Sequence, residues 1–494
     1  MIVRILYSAL IVNSLPICAS EYKVNSIDQF NELSLSAGDI VTWKNGSYRE
    51  EGTIKFTADG TETKPIILKA ESAGGVIFTG SVTMDISGDH VNVAGFHWNG
   101  GEGHNNHIEF RSGSNYANHS TIRNCAFNNL TPSGNDKHRW IVFHGTNNTV
   151  EHCSFTNKKS PGALILVELE YNNTDPVQHH ISNNYFYNFQ HRDPVTTHSG
   201  DSETIRVGES SFQSKSASCL IEKNYFQACD GENEIITNKS ANNTYRYNTF
   251  RNCHGSLVLR HGANAHVEGN YFLGENKEGS GGIRVSDSFH TIVNNYFQDL
   301  NNDGDKWNNA ITLVGGSDKT GGSSNGYQKV DNILVAFNTI YNCDDPLYFN
   351  DRSSYDPTGT FAYNLNYSTS TKGVGGDISG TGQSIKYIGN IFGGNDIGIT
   401  NEGITKADAQ FLPFGEIFQP NLKGIAANAA GSDYSSIVTK DLSGRLRESN
   451  ALDAGAQEVS GAKGSVINKP ITNADIGITV GASFIDHEGN FLKK

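Results

Sequence analysis

The chain has 494 residues, 18% of them charged, with 53 glycines, 11 prolines and only 2 methionines. This composition excludes a protein built of Ala-, Leu-, Glu- and Lys-rich helices and points to short strands joined by polar turns. The formal net charge of −14 argues against nucleic acid as a partner, because phosphate binding needs a basic surface. It leaves an anionic substrate open, since a local cluster of Arg and Lys in a cleft can outweigh the global sign.

Residues 1–20 read as an export signal. Arg4 gives the positive start, Ile5 to Val12 a short apolar run, and Pro16, Ala19 and Ser20 a cleavage region. A lipoprotein reading around Cys18 is weaker, because Leu-Pro-Ile before it lacks the usual small residue. The run is too short to span a bilayer and no later stretch does better. The expectation is a secreted or periplasmic protein with no membrane partner, folded over 21–494 as one domain. Next in the chain, Ser26-Ile27-Asp28-Gln29 forms a capping box, and Ile27, Phe30 and Leu33 make one apolar face of a short helix that Gly38 ends. Ile40-Val41-Thr42-Trp43 then begins a strand. Such a helix would cover the open end of a solenoid.

A pattern of the type Asn-x-x-Phe follows, at Asn124 to Phe127, Asn183 to Phe186, Asn224 to Phe226, Asn248 to Phe250, Asn270 to Phe272 and Asn294 to Phe297, with looser copies at Asn338 to Ile340 and Asn390 to Phe392. From Phe226 the steps are 24, 22 and 25 residues. A period of this size without heptads fits a β-solenoid with Phe or Ile stacked inside. Asn at a fixed corner suits a ladder, since it tolerates left-handed backbone and hydrogen-bonds neighbouring turns. Leucine-rich repeats share the period but not the residues. Six cysteines remain after the signal: Cys125, Cys153, Cys219, Cys229, Cys253 and Cys343. Several keep the repeat's register, which favours buried, stacked thiols over disulfides, and no Cys-x-x-Cys points to zinc. Repeats are traceable to about Phe392; from about residue 395 the tail, with Asp453-Ala454-Gly455-Ala456, reads as final turns or a small cap.

The repeat aligns three segments: Glu234 to Lys239, Ser256 to His261 and Gly282 to Asp287. Alternation puts Ile235, Leu257, Leu259, Ile283 and Val285 inside and Glu232, Glu234, Asn238, Arg260 and Arg284 outside. The earlier Glu203-Thr204-Ile205-Arg206-Val207 adds Arg206 to the outer face. With turns about 4.8 Å apart, these groups form one patch of carboxylates and cations. A solvated face of charge pairs would use the same residues. Glu232 and Glu234, two apart on one face, suit a hard cation such as calcium, or simple pairing with Arg206 or Arg260. β-Elimination from a uronic acid needs the carboxylate neutralised, a base for the C5 proton and an acid for the departing oxygen. Calcium can do the first. Lys239 is placed for the second, with neighbouring cations favouring its neutral amine, and Arg260 for the third. Arg206, Arg284 and His261 could hold further carboxylates, although an ordinary turn histidine would look like His261 too.

The run Gly231-Glu232-Asn233-Glu234-Ile235-Ile236-Thr237-Asn238-Lys239-Ser240, followed by Leu259-Arg260-His261-Gly262, resembles polysaccharide lyase family six, which holds alginate lyases and the dermatan-cleaving chondroitinase B. The resemblance extends from the cap helix at least through the Arg284 turn. It implies a right-handed parallel β-helix, calcium at Glu232 and Glu234, Lys239 as base and Arg260 as acid. In the family a third calcium ligand is an Asn before the Glu-Thr-Ile-Arg strand. Here Gly200-Asp201-Ser202-Glu203 stands instead, with Asp201 in its place.

A polygalacturonase-like hydrolase on the same fold would need clustered aspartates; Asp344-Asp345 is the one suggestive pair and lacks the expected surroundings. A non-catalytic glycan binder could share solenoid and groove, but it would tolerate Arg or Gln at Lys239, where a lyase needs a deprotonatable group. The expectation is therefore an alginate lyase with calcium as cofactor, acting as a monomer within chains, with dermatan or chondroitin sulfate as the alternative substrate. The loop Asn301 to Asn309 has a calcium-like look from Asp303 and Asp305 but no EF-hand glycine, and reads as a turn.

Overall fold

The structure, a computed structural model, describes residues 19–480 apart from 104, 133–136, 170–175, 191–200, 318–324, 354, 448–450, 462 and 478. The expected export signal therefore lies, but for its last two residues, outside the described residues. Three parallel sheets of 14, 12 and 14 strands run along the molecule, and successive strands enter them in rotation. This is a right-handed parallel β-helix, the hand that parallel crossovers take. Among the described residues no helix is long and apolar enough to cross a membrane.

The first turn is closed much as expected. Ser26 caps a short helix, Ile27–Asn31, by accepting from the Gln29 amide, while the Gln29 side chain accepts from Asn25 rather than Ser26. Phe30 packs edge-on to Phe56 at 5.5 Å and beside Trp43 at 6.4 Å, so the helix plugs the end of the core. A strand before it, Glu21–Val24, pairs with Ile40–Trp43 and was not expected.

Inside, the Phe column is continuous. Phe127, Phe155, Phe186, Phe226, Phe250, Phe272 and Phe297 stack with centroids 4.7–5.1 Å apart, the separation of successive turns. Two residues before each ring, a buried Asn row runs Asn184, Asn224, Asn248, Asn270, Asn295, Asn338, Asn364 and Asn390. Each Nδ2 donates to the next Oδ1 at 2.9–3.1 Å. Left-handed backbone falls one residue earlier, at Asn183, Lys223, Tyr247, Asn294, Phe337 and Tyr363, so the ladder Asn serves hydrogen bonding and its predecessor takes the bend. That conformation costs about 1–2 kcal/mol for an ordinary residue, which the ladder must outweigh. Cys125 and Cys153 occupy the Asn place in the earlier turns, with Cys153 accepting from the Cys125 amide and donating its own amide to Asn184. All six described cysteines are free and buried, as their register suggests.

Beyond the strand Ile404–Lys406 the described residues add no further turn to the three main sheets. The chain runs back along the outside of the Phe-bearing sheet: Gly455 reaches Tyr363, Ala456 reaches Thr339, Ile471 reaches Thr249, and Thr479 meets Asn124. The tail thus straps many turns together instead of capping the last one.

The Asn row yields a stability prediction. Asn248→Ala leaves the Asn224 amide without its acceptor and the Ile221 carbonyl without its donor, both buried. We expect a loss of about 2–3 kcal/mol, read as a lowered urea or thermal midpoint; an unchanged midpoint would show that the row does not hold the turns.

Candidate active site

The functional side chains come from the 12-stranded sheet, on Ile205–Gly208, Glu234–Lys239, Gly255–His261 and Ser280–Val285. Ile205, Ile236, Leu257 and Ile283 share one inward rung, and Arg206, Thr237, Val258 and Arg284 the next, outward one. Two bulges lie between Glu234–Lys239 and Gly255–His261. Ile235 is the extra residue of the first and Arg260 of the second, so Glu234 pairs with Ser256 and Lys239 with His261 although the middle is shifted by one. A bulge frees one side chain from the pleat and re-aims it. The shift also turns Asn238 inward, against the expectation from alternation. It is fully buried, donating to the Ser240 and His261 carbonyls and accepting from Asn243 and Tyr245.

These strands open onto a cleft of about 450 Å³ lined by Asp201, Glu203, Glu232, Asn233, Glu234, Lys239, Arg260, Arg284, Trp307, Asn325, Tyr327 and Arg352. Glu234 is its electrostatic centre. Its Oε1 lies 3.5 Å from Arg284 and 3.9 Å from Arg260, and its Oε2 accepts from Thr237 at 2.7 Å. Burial works to raise its pKa, but Arg284, Arg260 and Lys239 outweigh it and hold the carboxyl below the usual range. Glu232 behaves oppositely: burial first, then Glu203 and Glu234, push it up to about 9. Burial likewise raises Glu203, against the pull of Arg206 and Lys239. Lys239 stands 3.9 Å from Glu203 Oε1, and Glu203 Oε2 is buried with no hydrogen-bond partner.

Of the expected site residues, Lys239, Arg260, Arg284, Glu232, Glu234 and Asp201 share this cleft, while Arg206 and His261 stand behind its wall. Arg206 binds Asp201 at 2.6 Å and lies 3.8 Å from Glu203 and 3.5 Å from Glu209. The His261 ring is buried and donates Nε2–H to the Gly326 carbonyl at 2.7 Å. Both arrange the site from within. Asp201 pairs with Arg206 and Lys137, which commits its oxygens elsewhere than to a cation shared with the glutamates. Among the described residues no three His, Cys, Asp or Glu side chains are arranged to hold a metal. Yet Glu203, Glu232 and Glu234 crowd together, two of them favouring the protonated form and one with an orphaned oxygen. That hard-oxygen donor set fits a divalent cation in charge and chemistry.

The chondroitinase B family model matches residues 24–362, which include the cap helix, the Asn row as far as Asn338 and the whole cleft. The chain belongs to this family. The family resemblance extends to solved structures of polysaccharide lyase family six. With the alginate lyase AlyGC the chain shares 29% identity over 82% of its own length at a TM-score of 0.73; it spans 55% of that protein. With a mannuronic acid-specific family-six lyase from human gut microbiota it shares 27% identity, covering 80% of this chain and 92% of that one, at a TM-score of 0.72. No curated protein matches the chain.

Six other lining residues, Glu203, Asn233, Trp307, Asn325, Tyr327 and Arg352, were not among the expected site residues. Glu203 precedes its strand at a phase that alternation assigns to the interior, and a charge there was itself a signal, because burying one demands partners. Trp307 comes from the loop read as a turn. Tyr327 arrives from a segment outside the repeat period, where spacing carries no distance information, and Arg352 from the end of the strand Leu347–Ser353, within a shift of its pairing with Ile311–Gly316.

The buried histidines give a pH prediction. Burial pushes His97, His261 and His290 down to about 4 and His179 to about 3, against 6.5 in an open chain. Between those values the unfolded state binds more protons, so stability is full above about pH 6.5 and falls as pH drops towards 4. The thermal midpoint should follow that course. His261→Gln, which keeps an N–H for Gly326, should flatten it by one group's share; identical slopes in both proteins would show that His261 is not held neutral.

Proposed function

We propose that the chain is an exported alginate lyase that cleaves its polyuronate by β-elimination, and the observation that carries this reading is the delivery of Arg260 by a bulge into the same cleft as Lys239. The reacting uronate lies across that cleft with its carboxylate towards Arg284. Lys239 Nζ takes the C5 proton, the electron pair forms the C4–C5 double bond, and the C4–O bond breaks. The departing oxygen is met by the N–H groups of Arg260, which stabilise its charge as it takes up a proton from water. The products are a shortened chain and an oligosaccharide that begins with a 4,5-unsaturated uronate.

A calcium ion would be held by Glu232 and Glu234, with Glu203 as the nearby third carboxylate in the part expected of Asp201. When bound it supplies Lewis-acid neutralisation of the substrate carboxylate. The residues of the chain orient the sugar whether or not that ion is present: Arg284, tied to the Asn233 carbonyl at 3.1 Å, is a fixed donor on the cleft wall. Alginate is favoured because two structures with the same fold at 27–29% identity are described as alginate- and mannuronate-directed. The description of the matching family as chondroitinase B keeps dermatan sulfate as the second substrate to test.

Purified protein offered alginate or dermatan sulfate should generate the ultraviolet absorbance of an unsaturated uronate on alginate. Lys239→Ala and Arg260→Ala should each lower the rate by about 100-fold or more, the range for removing a proton-transfer group. Product from dermatan sulfate alone would change the substrate; product from neither would leave a glycan-binding protein. Separately, calcium should raise the thermal midpoint of the chelator-treated protein, since a ligand that binds only the native state stabilises it. Glu232→Gln should blunt the rise, and an equal rise in the variant would remove the metal from this site.

A further inference from the structure

Tyr327 and Trp307 stand ring against ring on the cleft wall, centroids 5.4 Å apart and 22° from parallel. Three guanidiniums pack on this pair. Arg260 lies 4.0 Å from the Tyr327 centroid, Arg284 lies 5.4 Å from Trp307, and Arg352 reaches the two rings at 5.4 and 5.9 Å.

Arg260 depends on its ring more than Arg284 does, whose guanidinium donates to the Asn233 carbonyl and to Glu234. A guanidinium has five N–H donors, and among the described residues Arg260 uses one in a hydrogen bond, Nη2 to the Asn325 carbonyl at 3.0 Å. Its carboxylate neighbour, Glu234, is 3.9 Å away, and its Nε is buried without a partner. As the extra residue of a bulge it also lacks a paired neighbour on the adjoining strand. Hydrogen bonds alone therefore do not set the tilt of the guanidinium plane. A flat ring face does, and it leaves the in-plane N–H directions unobstructed.

The ring is itself fixed. Gln328, the next residue, exchanges hydrogen bonds with Ser286 at 3.0 and 3.2 Å, and the Gly326 carbonyl before it receives His261. The segment from Asn325 to Gln328 thus holds both residues of the bulged end, Arg260 by ring and carbonyl and His261 by carbonyl.

We propose that Tyr327 is a positioning residue, its ring face holding the Arg260 guanidinium in the plane from which the remaining N–H groups reach the departing glycosidic oxygen. The role rests on the lyase reading above and belongs to the ring face, not to the phenol. Tyr327→Phe keeps the face and Tyr327→Leu keeps only apolar bulk.

The test compares wild type, Tyr327→Phe and Tyr327→Leu on the polymer that wild type cleaves, with thermal midpoints and crystal structures of wild type and the Leu variant. We expect kcat of the Phe variant to stay within about twofold of wild type, whereas the Leu variant loses about tenfold in kcat with KM little changed. The Arg260 guanidinium should be reoriented in the Leu crystal at an unchanged midpoint. Wild-type kcat in the Leu variant would overturn the proposal, as would a loss in Phe equal to that in Leu or a loss confined to KM. If wild type made no unsaturated product from any polyuronate, the lyase reading would fail. The crystals would still decide the positioning role: an unmoved guanidinium in the Leu variant would overturn it.

Discussion

Every turn of this helix must hand the chain to the next at the same height, and the buried row of Asn amides is where that requirement is met. Each amide links its neighbours on both sides and ties off a backbone carbonyl of the preceding turn. A single turn out of step would leave two buried polar groups unpaired, a heavier penalty than the left-handed residue each corner demands. The Phe column follows from the same constraint, since rings stack face to face only if turns repeat at ring thickness. So does the placing of the cleft, where side chains from different turns meet at fixed spacing.

On so regular a scaffold, chemistry appears where regularity is broken. The two bulges between Glu234–Lys239 and Gly255–His261 cancel at the ends, so the sheet is undisturbed above and below while its middle is displaced by one residue. That displacement sends Arg260 out of the pleat and Asn238 into the core. Asn238, satisfied by carbonyls and by Asn243 and Tyr245, anchors the strand beside the very residue expected to act as base. The break in the pattern is thus supported from beneath by a fully bonded polar group, as a buried polar residue must be.

The repeat, the inner Phe column, the capping helix and the grouping of Lys239, Arg260, Arg284 and the glutamates were legible in the sequence, because stacking converts residue spacing into distance. The cancelling bulges were not: segment ends align correctly whether or not the middle slips, so alternation gave Ile235 where the rung holds Ile236 and put Asn238 on the wrong face. Arg206 was read as an outward cation and His261 as either a carboxylate-holding residue or an ordinary turn histidine, because alternation says which face a side chain takes but not what later covers it. Trp307 and Tyr327 lie outside the main strands, and Arg352 sits in a pairing irregularity at the end of the strand Leu347–Ser353, so alternation placed none of them. The returning tail was illegible because its contacts join residues such as Thr479 and Asn124, whose separation bears no relation to the period.

The charge of the cleft differs in its make-up from the net charge of −14 of the whole chain, which bears on the polyuronate proposed as its substrate. Its lining holds four acids, Asp201, Glu203, Glu232 and Glu234, against four bases, Lys239, Arg260, Arg284 and Arg352, a formal balance that would not attract a uronate. The balance is only formal. Asp201 is neutralised from outside the lining by Arg206 and Lys137, and burial with mutual repulsion drives Glu232 and Glu203 towards their protonated forms. Glu234 is pulled the other way, held below the usual carboxylate range by Arg284, Arg260 and Lys239. The cations of the lining thus stand over acids that are paired from outside or whose charges burial disfavours. A hard cation beside the glutamates would make the lining more positive, so substrate carboxylate and metal would favour each other's binding. The same crowding of carboxylates that disfavours their charges thus suits the cleft to the anionic sugar proposed above.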